Sequence, residues 1–90
     1  MKWIEIIKLR NAGKVPESLK RFLSGLLKNA PPELIEARLY RHASWETNWT
    51  LQLYWDSTQF EENGTALGLR LARTLRDFGL VDHSVWIEEG

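Results

Sequence analysis

The chain has 90 residues, with 12 Lys plus Arg against 12 Asp plus Glu, no cysteine and five tryptophans. That length suits one domain over residues 1–90. The lack of cysteine excludes disulfides and thiolate metal centres, and the balanced charge supplies no field to attract nucleic acid or anionic lipid.

The opening MKWIEIIKLR interrupts its apolar residues with charges, unlike a secretory leader, and no later stretch reaches membrane-spanning length. The expectation is a soluble cytoplasmic protein with no nucleic-acid and no membrane partner. Residues 2–10 themselves, rich in Ile, are predicted as a strand. NAGK breaks it, and Pro16 suits the first turn of a helix. Leu19, Phe22, Leu23, Leu26 and Leu27 then recur at helical spacing as far as Lys28. NAPP ends that helix, because proline cannot continue the hydrogen-bond ladder.

Residues 34–43 alternate, with Ile35, Ala37 and Leu39 on one face and Glu36, Arg38, Tyr40 and His42 on the other. SWETN connects them to NWTLQLYWD at 48–56. There Trp49, Leu51, Leu53 and Trp55 alternate with Asn48, Thr50, Gln52, Tyr54 and Asp56, giving a hairpin. After the polar loop STQFEENGT, a second helix is predicted from Thr65 to Phe78, with Leu67, Leu71, Leu75 and Phe78 on one side. Gly79 is read as its left-handed cap. LVDHSVWIEE supplies the fourth strand.

This order, βαββαβ, describes an α+β ferredoxin-like domain: a four-stranded antiparallel sheet with both helices on one face. The helix-facing positions would be Trp49, Leu51, Leu53 and Trp55 with Ile35, Ala37 and Leu39. Strand one is apolar on both sides, with Ile4 and Ile6 against Trp3, Ile7 and Leu9. Strand four divides alike, with Leu80 and Trp86 against Val81, Val85 and Ile87. Whichever set meets the helices, the far face keeps more apolar surface than a monomer usually leaves bare. A second copy, pairing sheet to sheet about a two-fold axis, is the simplest cover.

In strand and helix order, length and apolar far face, the chain resembles the dimeric α/β-barrel superfamily, which includes the antibiotic-biosynthesis-monooxygenase-like proteins. The resemblance is architectural and carries over no catalytic motif. It implies a homodimer with a cavity between sheet and helices or between the two sheets. It also implies chemistry of the cofactor-independent monooxygenase type in some members and none in others.

Chemistry-bearing residues are few. His42 and His83 could act as acid–base groups, but neither has metal-ligand spacing, so no metal and no cofactor is expected. Arg38, Tyr40, His42, Gln52 and Tyr54 share the far face of the hairpin and form the candidate ligand-binding set. They either orient a flat, oxygen-rich ligand or satisfy one another across a dimer. Arg70, Arg73 and Arg76 form a stripe on the second helix that reads as a solvated face. The glycines of NGTALGLRLA lack the dinucleotide spacing; Gly64 reads as a turn residue and Gly68 as a close helix-to-sheet approach. NWTLQLYWD lacks the basic and glycine residues of an RNA-binding sheet. The expected function is therefore a homodimer that binds a small apolar or aromatic ligand, with monooxygenase-like turnover. The alternative is a non-catalytic regulatory or protein-interaction module. An enclosed cavity with inward polar groups separates the first from the second.

Overall fold

The computed structural model describes residues 1–10 and 17–90; the expected turn at NAGK and the role of Pro16 lie outside the described residues. The elements are β1 (Lys2–Arg10), α1 (Glu17–Lys28), β2 (Leu34–Arg41), β3 (Trp49–Asp56), α2 (Ala66–Leu75) and β4 (Leu80–Ile87). The strands form one antiparallel sheet in the order β2-β3-β1-β4. This is the expected ferredoxin-like α+β arrangement.

Register resolves the ambiguity of strand one. Trp3 pairs with Trp55 and Ile87, Glu5 with Leu53 and Val85, Ile7 with Leu51 and His83, and Leu9 with Trp49 and Val81. These side chains share the face that carries both helices. Trp3, Ile7, Leu9, Leu51, Leu53 and Trp55 bury there against Leu19 and Leu23 of α1 and Leu71, Ala72 and Leu75 of α2. Trp3 and Trp55 stack with ring centroids 5.6 Å apart, and Trp3 Nε1 donates to Ser57 Oγ at 2.9 Å. The core is packed closely: between α1 and the sheet it leaves a void of only about 10 Å³, space for at most one water.

Three sequence expectations change. Ile35 does not face the helices: β2 carries a bulge, in which Leu34 pairs with Trp55 and Glu36 with Tyr54. The extra residue gives Leu34 the core-facing place and sends Ile35, 58% exposed, to the far side. Gly79 is not a left-handed cap, since among the described residues only Gly64 and Gly90 are glycines with positive φ. Helix α2 has already ended at Leu75, where the bonds Asp77 N–H to Thr74 O and Phe78 N–H to Leu75 O tighten the chain into a turn. Phe22 lies at the edge of the α1 stripe and is exposed, so Leu19 and Leu23 hold that helix down.

The start of α2 is built with more care. Thr65 is its N-cap, and its Oγ1 accepts the Gly68 N–H at 2.9 Å. Gly64 before it has φ +98°, the left-handed region that glycine occupies without strain.

Candidate functional site

The far face of the sheet divides into two ends. Across one end run Tyr54, Ile4 and Trp86, register partners on β3, β1 and β4, with Ile35 beside them. They line a trough of about 300 Å³ at the end of the sheet, which Trp3, Trp55 and Ile87 of the helix-facing rows also border. Trp86 is 58% exposed, and its indole N–H donates to Ser84 Oγ at 2.8 Å. The next rows turn polar: Arg38, Gln52, Ile6 and Ser84, then Tyr40, Thr50, Lys8 and Asp82. Asp82 pairs with Arg10 at 3.0 Å.

Four of the five candidate ligand-binding residues come together at the border of these ends. The Arg38 guanidinium donates through Nε to Glu36 Oε1 at 2.7 Å and through Nη1 to the Tyr40 hydroxyl at 3.3 Å. It also lies over the Tyr54 ring, 5.9 Å from its centroid. The hydrogen bond to Glu36, seconded by Tyr40, raises the Arg38 pKa still further, so the guanidinium stays charged. The Tyr54 hydroxyl donates to Gln52 Oε1 at 2.6 Å. Alternation along paired strands produces this cluster, because Arg38 and Gln52 are direct register partners and Tyr54 is two residues along.

His42 stands apart from that cluster. It follows the end of β2, and its Nδ1 accepts the backbone N–H groups of Ser44 and Trp45 at 3.0 and 3.1 Å. Its ring stacks on Trp45, with centroids 5.0 Å apart. The imidazole therefore organises the β2–β3 turn, and Trp45 sits exposed over it.

A second polar group lies on the opposite face, inside the core. Glu5 is fully buried between Trp3 and Ile7. Its Oε1 accepts the Thr65 hydroxyl at 2.5 Å, and its Oε2 accepts the Thr65 backbone N–H at 3.1 Å. His83 Nε2 lies 2.7 Å from the same Oε2. A Cβ on Gly68 would stand 1.9 Å from Glu5 Oε2, and one on Gly64 would stand 2.2 Å from His83 Cε1. Both glycines thus make room for the pair. The sequence singled out His83 without an acidic partner; the partner lies 78 positions away. Its one sequence signal is a carboxylate among Trp3, Ile7 and Leu9, on an otherwise apolar face of β1.

Among the described residues, no helix is long and apolar enough to cross a membrane. No family model and no curated protein matches the sequence. The fold does match solved structures. A point variant of SnoaB, a cofactor-independent oxygenase from Streptomyces nogalater, aligns over 99% of this chain and 94% of its own, with TM-score 0.69 and 13% identity. A second SnoaB structure aligns with TM-score 0.63 and 13% identity over 99% and 92% of the two chains. Rv0793 from Mycobacterium tuberculosis aligns over 100% of this chain and 97% of its own, with TM-score 0.69 and 14% identity. These likenesses bear out the architectural resemblance to the dimeric α/β-barrel superfamily, and at such identities they show the fold alone.

Proposed function

We propose that the chain forms a homodimer through the far face of its sheet and binds a small, flat apolar or aromatic molecule in the space so enclosed. Its turnover is of the cofactor-independent oxygenase type. One observation carries this reading: the trough of about 300 Å³ at Ile4, Ile35, Tyr54 and Trp86, bordered by Arg38 and Gln52. Between α1 and the sheet the space is filled with side chains, and the hollow of about 290 Å³ between Trp3, Trp55 and the start of α2 lacks the Arg38–Tyr54 group. The trough is at the lower end of the size range of small-molecule sites and combines apolar walls with a few polar groups at one edge. A second copy would shield it from water and so strengthen each polar contact inside.

The activity follows from what such chemistry requires. With no metal or flavin, the substrate must itself supply electrons to dioxygen, which favours an ionised, electron-rich phenol or enol. A permanently charged guanidinium next to an aromatic wall would hold such an anion in place. Likeness to an oxygenase of the same fold supports the reading.

The test has two parts. Sedimentation at micromolar concentration is expected to give twice the chain mass. A thermal-shift screen of polyphenols and quinols, followed by oxygen-uptake measurements in chelator-treated buffer, is expected to find a ligand that is consumed. A monomer in sedimentation would sink the enclosed space.

One observation favours the non-catalytic alternative. Arg38, Tyr40, Gln52 and Tyr54 already bond to one another or to Glu36 within a single chain. A dimer that binds none of these compounds but captures a protein partner would establish the interaction-module reading instead.

A further inference from the structure

Hydrophobic burial does not account for Glu5. A carboxylate taken out of water is among the costliest groups to bury, and a Leu at this register would avoid the penalty. Yet neighbouring positions are adapted to it. Gly68 leaves the volume its Oε2 occupies, Gly64 leaves the volume of the His83 ring, and Thr65 gives it two donors while capping α2. Parts of β1, β4 and the start of α2 thus converge on one carboxylate–imidazole pair.

We propose that His83 Nδ1 is a general base for a small weak acid, a molecule with an activated C–H or a phenolic O–H, and that Glu5 is its positioning residue. We take Glu5 as a carboxylate, which can only accept, so that Nε2 donates to Oε2, as the Thr65 N–H and hydroxyl also do to the same carboxylate. The free lone pair is then on Nδ1. Among the described residues Nδ1 has no hydrogen-bond partner, and it is not among the unpartnered buried atoms, which are Trp49 Nε1 and Trp55 Nε1. The side chain is 10% exposed, at the β4 edge of the sheet, and this opening is the approach the proposal requires for a small molecule.

Proton transfer there balances simply. The substrate proton moves to Nδ1, and its bonding pair stays on the substrate atom. The imidazolium charge that forms is stabilised by the carboxylate 2.7 Å from Nε2, in a site where little water screens it. Among the described residues no third His, Asp, Glu or Cys joins the pair, so the donor set suits a proton rather than a metal ion. The dyad lies across the sheet from the far-face trough and stands or falls independently of the dimer.

The probe is 5-nitrobenzisoxazole, which opens to a coloured phenolate when a base removes its ring C–H and the N–O bond breaks. The intact protein is expected to open it at least ~10-fold faster than the same concentration of free imidazole at neutral pH. His83→Gln should remove that excess, and Glu5→Gln should reduce it several-fold. Because either variant can lose its fold, diethyl pyrocarbonate acylation supplies a second readout, with the two histidines resolved by peptide mass. His83 in the wild-type protein should react faster than His42, whose Nδ1 is occupied. Glu5→Gln should slow His83 several-fold and leave His42 unchanged. Opening no faster than free imidazole, or a folded Glu5→Gln protein with unaltered His83 reactivity, would overturn the proposal and leave Glu5 a purely structural group.

Discussion

Replacing Gly68 with Ala sets two effects of opposite sign against each other. Gly68 is the third residue of α2, and on helix propensity alone Ala should stabilise by up to about 1 kcal/mol. The added methyl, however, would lie 1.9 Å from Glu5 Oε2, 2.7 Å from its Cδ and 2.9 Å from Oε1. The carboxylate must move, and being fully buried it has nowhere wet to go. Displacing Oε2 breaks the bonds from Thr65 N–H and His83. Hydrogen bonds to a charged group contribute roughly 1.5–3 kcal/mol each. Two such losses outweigh the propensity gain, and the expected net cost is about 2–5 kcal/mol. Urea unfolding at fixed protein concentration measures it. The same Gly68→Ala change in a Glu5→Ala background should cost nothing or stabilise by a few tenths of a kcal/mol to about 1, because the obstacle has gone. If Gly68→Ala stabilises the wild-type protein, or if its effect is the same in both backgrounds, the account of Glu5 and its two glycines is wrong.

Leu53 is fully buried at the centre of the sheet, and Leu53→Ala should cost about 2–5 kcal/mol in the same urea assay. Trp86→Glu changes a side chain that a single chain leaves mostly exposed, so the monomer fold should survive by circular dichroism while dimerisation weakens at least ~10-fold in sedimentation. Unchanged self-association would place any dimer interface elsewhere. Tyr54→Phe removes only the hydroxyl bonded to Gln52, and should cost about 1 kcal/mol of stability while weakening whatever ligand the thermal-shift screen identifies. A much larger stability loss with unaltered binding would make that hydroxyl structural. His42→Ala should loosen the β2–β3 turn, seen as faster amide exchange at Ser44 and Trp45, with little change in ligand affinity.

Much of the fold was legible because its signals are local. Alternation in TLQLYWD and the spacing of Leu19 and Leu23, or Leu71 and Leu75, follow from backbone periods of two and 3.6, which any short window of sequence displays. The convergence of Arg38, Tyr40, Gln52 and Tyr54 was likewise readable, since one hairpin carries all four. His42 escaped that pattern because the strand ends one residue before it, and two backbone N–H groups recruit its ring into the turn. The bulge at Leu34–Glu36 was hidden because Leu-Ile-Glu fits either alternation, and only pairing against Trp55 and Tyr54 selects one. Strand one is the same case on a larger scale: both its faces are apolar, so its orientation depended on which neighbours it met. The pairing of Glu5 with His83 lay furthest from sequence reasoning. The two are on different strands at opposite ends of the chain, and their 2.7 Å contact exists because β1–β4 register and two missing side chains, one before α2 and one in its first turn, bring an acid and an imidazole together. Sequence by itself determined the elements and their order, since these depend on neighbours along the chain. Tertiary structure decided register and burial, and with them the chemistry at Glu5, since these depend on neighbours in space.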